Sequence, residues 1–243
     1  MKTAFKSDIG RHRKQNQDRV ALFTNEQGLF LVVIADGIGG NQRGDLAAEL
    51  TTKSFGRAFT TVSPMTPQMA SKWLVSQVQL INNKILEKSK EKQSYHGYHG
   101  MGTTMVAAVL FDDQVVVANI GDSRGYIMHD GQLTQITVDH SLVNELVKKG
   151  DLTEQEAQNS PQNNIITRAI GISAEAKADV NRFRLKRGDQ LLLCTDGLSK
   201  MVPLQQISEV LTSRKSLKRK CGLLIKMANK AGGPDNITVS ISQ

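Results

Sequence analysis

Across 243 residues, 31 lysines and arginines stand against 23 aspartates and glutamates, a formal net charge of +8, in a chain long enough to bury a substantial core as one large domain or two small ones. The basic surplus admits nucleic acid, an anionic membrane or a phosphorylated substrate as partner, but no zinc-finger spacing, RNA-recognition aromatic motif or basic arm is present. No apolar run approaches the roughly 20 residues that cross a bilayer, and Met1 to Lys6 lacks the apolar stretch of a secretory signal, so a soluble cytoplasmic protein with no nucleic-acid partner and no membrane insertion is expected.

Strand-like segments near residues 2–7, 20–25 and 29–35 precede a helix that opens after Gly39-Gly40. A second helix follows Pro67, where Leu74, Val78, Ile81 and Ile85 recur at helical spacing and face a core. Residues 87–100 read as a polar linker, and Tyr95-His96-Gly97-Tyr98-His99 within it reads as surface loop, because its imidazoles have no carboxylate nearby. Strands follow at 103–110, 114–120 and 124–128, with a turn at Asp130-Gly131. Residues 140–165 break that rhythm. Leu142, Val143, Leu146 and Val147 make one apolar face, Gly150 fits a helix stop, and Thr153 to Glu156 fits a capping box that starts another helix. Strands near 178–185 and 190–195 lead to helices near 204–212 and 216–230, then to a last strand from Ile237 to Ile241. In the helix over 216–230, Leu217, Cys221, Leu224 and Ala228 form the buried stripe, which makes Arg214-Lys215 and Lys218-Arg219-Lys220 a solvated face. Cys194 and Cys221, the two cysteines, have neither metal-ligand nor disulfide spacing and read as buried free thiols.

Four aspartates lie at the ends of the apolar runs. Leu31 to Ala35 leads into Asp36-Gly37, Leu191 to Thr195 into Asp196-Gly197, and Val115 to Gly121 into Asp122, while Asp235-Asn236 opens the last run. Buried strands of this kind bring the carboxylates to one edge of a packed core. Anions gathered half out of water are costly without a cation, because like charges at close range disfavour ionisation. Oxygen-only ligands point to Mg²⁺ or Mn²⁺ rather than structural zinc. Each Asp-Gly pair alone is also ordinary turn chemistry; four carboxylates placed alike are not explained that way.

These aspartates fall within an ordered set of motifs: Ser7-Asp8-Ile9-Gly10, Arg13, Asn16-Gln17-Asp18, ADGIGG (Ala35 to Gly40), GMGTT (Gly100 to Thr104), NIGDSR (Asn119 to Arg124), DHSLV (Asp139 to Val143), NIITRAIG (Asn164 to Gly171), LCTDGL (Leu193 to Leu198) and GGPDNIT (Gly232 to Thr238). The set closely resembles the metal-dependent protein phosphatases of type 2C in their compact bacterial form. The resemblance implies an α+β fold: two mostly antiparallel β-sheets packed as a sandwich, helices on both outer faces, and a small helical flap at about 140–165, all within a single catalytic domain over 1–243. Patterning by itself reaches only mixed helix and strand with a carboxylate edge. It leaves a doubly wound parallel sheet open, although strands arriving without intervening helices count against that.

The resemblance further implies hydrolysis of phosphoserine and phosphothreonine on proteins, by attack of a metal-bridging water or hydroxide at a centre of two Mn²⁺ or Mg²⁺ ions. Asp36 would bridge the ions, with the Gly37 carbonyl, Asp196 and Asp235 completing them. Arg13 would grip the phosphate, Asp18 would order metal-bound water, and Asp122 would help to bind a third, weaker ion. The implied partners of this expected monomer are phosphorylated proteins and an opposing eukaryotic-like serine/threonine kinase with its substrates. Three residues depart from the family pattern: Gln17 stands where many relatives carry Glu, Ile38 where a histidine or methionine is usual, and Asn41 where bacterial relatives have histidine. No histidine is therefore assigned as general acid, and His12 and His140 read as structural. A metal-dependent phosphodiesterase or nuclease is the competing enzyme reading, weakened by the missing nucleic-acid motifs. An inactive phosphoprotein-binding module is the competing non-enzyme reading, weakened by the intact Asp36, Asp196 and Asp235 set.

Overall fold

Continuous apolar runs such as Leu31 to Ala35 belong to strands buried on both faces, and the computed structural model shows what covers each face. It describes residues 1–38, 43–63, 65–91 and 100–243; the Gly39-Gly40 helix opening, Asn41 and the Tyr95 to His99 segment lie outside them. The strands are β1 (Thr3–Asp8), β2 (Asp18–Thr24), β3 (Phe30–Ile38), β4 (Gly102–Thr103), β5 (Met105–Leu110), β6 (Gln114–Ile120), β7 (Arg124–His129), β8 (Gln132–Gln135), β9 (Asp179–Arg184), β10 (Gln190–Cys194) and β11 (Ile237–Ser242). One sheet is ordered β1-β11-β10-β7-β8 and the other β2-β3-β5-β6-β9, with β4 paired to β3. Each strand pairing is antiparallel, which excludes the doubly wound alternative.

Alternate residues of β3 serve different layers, as a period of two requires. Val32 and Ile34 pack with Val106, Ala108, Val117, Ile127, Leu191 and Leu193 between the sheets. Leu31 and Val33 pack outward, with Phe55, Phe59, Leu74, Val78, Ile81 and Ile85, under helices α1 (Gly44–Thr60) and α2 (Pro67–Glu91). The outer face of the other sheet is covered by α5 (Asp196–Ser199), α6 (Leu204–Thr212) and α7 (Leu217–Lys230), through Leu198, Ile207, Leu211, Cys221, Leu224 and Ala228. The α+β sandwich with helices on both outer faces is thus the fold. Among the described residues, no helix is long and apolar enough to cross a membrane.

Between β8 and β9 lie α3 (Leu142–Lys149) and α4 (Glu154–Asn159). Gly150 ends α3 in the left-handed conformation (φ 82°), and the Thr153–Glu156 capping box opens α4. The insert is stitched at its base by the Ser141–Ile166 bridge and by the Thr167 N–H to His140 carbonyl bond of 2.9 Å.

Three local expectations need correction, and one strand had no expectation. Residues 87–91 continue α2 rather than start a linker, since Glu, Lys and Ser in that stretch extend a helix already anchored by its apolar stripe. The polar Gln132–Gln135 segment is a strand, held by its ladder to β7 rather than by any apolar alternation. The first strand of the Asp36 motif runs on to Ile38, so Asp36 and Gly37 lie inside β3. Lys220 is buried, not solvated: its Nζ donates to Gln190 Oε1 at 3.0 Å and to the Leu211 carbonyl. Both cysteines are buried and free, and burial raises their thiols to about 12 for Cys194 and about 11 for Cys221.

Candidate functional site

The β2–β3 register places Asp18 directly opposite Asp36. Side chains paired in this way project from the same face, and like charges there repel. Asp18 is only 2% exposed; its Oδ2 accepts from Thr195 Oγ1 at 3.0 Å. Burial raises its carboxyl to about 7, with Asp196 and Asp235 adding to the rise and the Thr238 and Thr195 hydroxyls opposing it. Asp36 is pushed well above the usual carboxylate range, first by burial and then by Asp18, Asp196, Asp122 and Asp235. Four other carboxylates thus act on Asp36.

Backbone packing delivers the remaining members. Gly37 is needed where α1 meets β3: a Cβ there would lie 2.4 Å from the Gly44 carbonyl carbon. The Asp36 carbonyl is held by Thr104 N and by Thr103 Oγ1, each at 2.8 Å. Asp196 opens α5 at the end of β10, and Gly197 lets that turn press on the chain before β11, since a Cβ would stand 2.0 Å from the Asn236 carbonyl oxygen. Asp122 follows β6 and is 3% exposed. Burial and Asp196 raise its carboxyl to about 6 against the opposing effect of Lys200.

Two cations reach into the cluster. Arg13 donates to Asp235 Oδ2 at 2.8 Å, and this pairing, reinforced by Asp36 and Asp196, raises the guanidinium above its ordinary value. Lys200 Nζ donates to Asp122 Oδ2 at 2.9 Å, Asp196 Oδ2 at 2.8 Å and Asn164 Oδ1 at 2.9 Å. Every site residue expected from the sequence therefore gathers here: Arg13, Asp18, Asp36, Gly37, Asp122, Asp196 and Asp235. His140 does not join them as an acid. It is buried, its Nδ1 accepts from Gly121 N at 3.2 Å, and burial lowers its imidazole.

Whether the cluster suits a cation can be judged from its unpartnered atoms. Asp18 Oδ1, Asp122 Oδ1 and Asp196 Oδ1 are buried without a hydrogen-bond partner, a costly state for a carboxylate oxygen. Hard oxygen donors of this kind fit Mg²⁺ or Mn²⁺. Among the described residues, no three Asp, Glu, His or Cys side chains close on a single point, because Asp235 is turned to Arg13, and Asp122 and Asp196 are turned to Lys200.

Several residues of the site carried no role in the sequence reading. Asn236 fastens the segment bearing Arg13: its Oδ1 accepts from Gln17 N at 2.8 Å, and its Nδ2 donates to the carbonyls of Ile9 at 2.9 Å and Gln15 at 3.1 Å. Thr195 and Thr238 support Asp18. Lys200 had one available signal, its position four residues after Asp196 at a helix start, but its contacts with Asp122 and Asn164 come from distant segments.

The family model for protein phosphatase 2C matches residues 10–233. The serine/threonine phosphatase stp of Listeria monocytogenes serotype 4b is 39% identical over 240 residues, covering 98% of this chain and 94% of that one. Protein phosphatase PhpP of Streptococcus pneumoniae is 38% identical over 241 residues, with coverage of 99% and 96%. The solved structure of the S. agalactiae serine/threonine phosphatase matches with a TM-score of 0.93 at 39% identity, covering 99% of this chain and 98% of that one. The catalytic domain of the serine/threonine protein phosphatase PstP in complex with 2 manganese ions matches with a TM-score of 0.84 at 32% identity, with coverage of 99% and 96%.

Proposed function

We propose, from the premise that this chain belongs to the protein phosphatase 2C family and is a metal-dependent phosphoprotein phosphatase, that it hydrolyses phosphoserine and phosphothreonine on proteins at a binuclear Mn²⁺ or Mg²⁺ centre. The observation that carries this reading is Asp36, set among four other aspartates, three of which (Asp18, Asp122 and Asp196) each keep a buried oxygen without a protein partner. Asp36, the Gly37 carbonyl, Asp196 and Asp235 would hold the ions. When bound, the ions would activate water near neutral pH and offset the oxygen charge of an in-line displacement. The two manganese ions of the PstP complex support that count.

The protein's own groups bind and orient. Arg13 would exchange Asp235 for the phosphate oxygens of the substrate, for which a guanidinium fork is well matched. Asn236 keeps the Arg13 segment against the cluster. Asp18, held by Thr195, would accept a proton from ordered water at the base of the site. Asp122 stands beside Asp196 through Lys200, so a third ion expected there would compete with an ammonium already in place. The whole chain would act as one catalytic domain, with residues 140–165 as its flap. It would work as a monomer in the cytoplasm, on phosphorylated proteins and in opposition to a serine/threonine kinase.

The test is hydrolysis of a phosphothreonine peptide. Chelation is expected to abolish it and Mn²⁺ to restore it, and Asp36→Asn and Asp196→Asn each to lower turnover by orders of magnitude. Full activity in exhaustively chelated protein, or near-normal turnover in either variant, would overturn the binuclear reading.

A further inference from the structure

Lys200 forms a coordination arrangement of its own. An ammonium has three N–H donors, and three acceptors meet it here: Asp122 Oδ2 at 2.9 Å, Asp196 Oδ2 at 2.8 Å and Asn164 Oδ1 at 2.9 Å. These acceptors come from the β6–β7 turn, from the start of α5 and from the return segment of the 140–165 insert. Taken alone, the Asp196–Lys200 contact is an i,i+4 helix pair, worth little at a surface. Asp122 changes its standing: its side chain is 3% exposed and that of Lys200 25%, so solvent and salt screen the pair poorly. Asp122 and Asp196 each keep a second buried oxygen without a partner, so the pocket remains anionic around its resident charge.

We propose that the Lys200 ammonium is the built-in occupant of the position between Asp122 and Asp196, supplying from the chain itself the charge that a third divalent ion would bring there. This deepens the phosphatase reading and rests on it. A divalent ion and an ammonium cannot share these two carboxylates at contact distance without strong repulsion. The native protein therefore holds two ions tightly and admits a third only by expelling Lys200. Through Asn164, the same ammonium ties the insert to the acidic cluster, so expelling it also unfastens that segment.

Equilibrium dialysis of the full chain against Mn²⁺ tests this directly. The native protein is expected to bind two ions, and Lys200→Ala to bind three, the third at least about tenfold more tightly than any third ion of the native protein. Lys200→Met, which keeps the aliphatic length, serves if the alanine variant does not fold. Adding Asp122→Asn to either variant should remove the third ion and leave two. Equal third-ion affinity in the native and Lys200 variants would overturn the proposal, as would two ions in both. Fewer than two ions in the native protein would instead overturn the binuclear reading beneath it.

Discussion

Removing the charge of Asp18 is expected to stabilise the protein when no metal is bound, although Asp18 belongs to the site. Its carboxyl rises from 3.8 to about 7 in the folded protein, chiefly through burial. Between about pH 4 and 7 the folded state therefore holds a proton that the unfolded chain releases. The associated stability is fully present below the lower value and is lost as pH rises through the upper one. At about 1.36 kcal/mol per pH unit that span is about 4 kcal/mol. Asp36 titrates with Asp18 as an interacting pair, so part of the effect is shared and about 2–4 kcal/mol is expected for Asp18→Asn at pH 7.5. Asparagine can still accept from Thr195 through its one carbonyl oxygen, while the second carboxylate oxygen and the charge give way to an amide NH₂. Urea denaturation in chelator at pH 4 and pH 7.5 provides the assay. The variant should match the native protein at the lower pH, exceed it at the higher, and lose that advantage when Mn²⁺ is added. A variant less stable than native at pH 7.5, or a variant-minus-native difference that does not grow from pH 4 to 7.5, would refute the reasoning.

Arg13→Ala removes a charge-assisted phosphate partner and should raise KM for a phosphopeptide by the equivalent of about 1.5–3 kcal/mol, measured by steady-state kinetics; unchanged constants would return Arg13 to a rim ion pair. Asn236→Ala severs three bonds to the Arg13 segment and should cost about 2–4 kcal/mol in denaturant unfolding, with KM raised in the same direction as Arg13→Ala. Lys220→Ala leaves Gln190 Oε1 without its buried donor, while the Leu211 carbonyl keeps Gln190 Nε2 at 3.1 Å, and should cost about 1–3 kcal/mol of stability while kcat stays native.

The parts legible in the sequence were those decided by local pattern. The β3 run, the α2 stripe, the Gly150 stop and the Thr153 capping box each depend on neighbours within a few residues, and each is present. The acidic cluster was legible because Asp36, Asp122, Asp196 and Asp235 each adjoin an apolar run in the sequence, so one fold-level assumption brings them together even though Asp36 itself lies inside β3. Lys220 was not, because a basic run gives the same pattern whether its third member faces water or reaches a carbonyl on α6. Lys200 and Asn236 were not, because apart from Asp196, four residues before Lys200, the partners that place them lie 36 to 227 positions away and no periodicity marks them. The short strand β8 was not, because it borrows its order from β7.

The pairing of β1 with β11, from Thr3 opposite Ser242 to Asp8 opposite Ile237, has a bearing on biosynthesis. β1 therefore finds its neighbour only after more than two hundred further residues have been made, and Asp235 lies just ahead of that neighbour. Until then β1 lacks its ladder and β10 is open on the side that β11 will take, and exposed ladder groups of this kind recruit other strands. Between the making of β1 and of β11 the nascent chain is therefore prone to self-association, for several seconds or more at roughly 5–20 residues per second. Completing the five-stranded sheet removes that hazard and brings Asp235 to the acidic cluster in the same event.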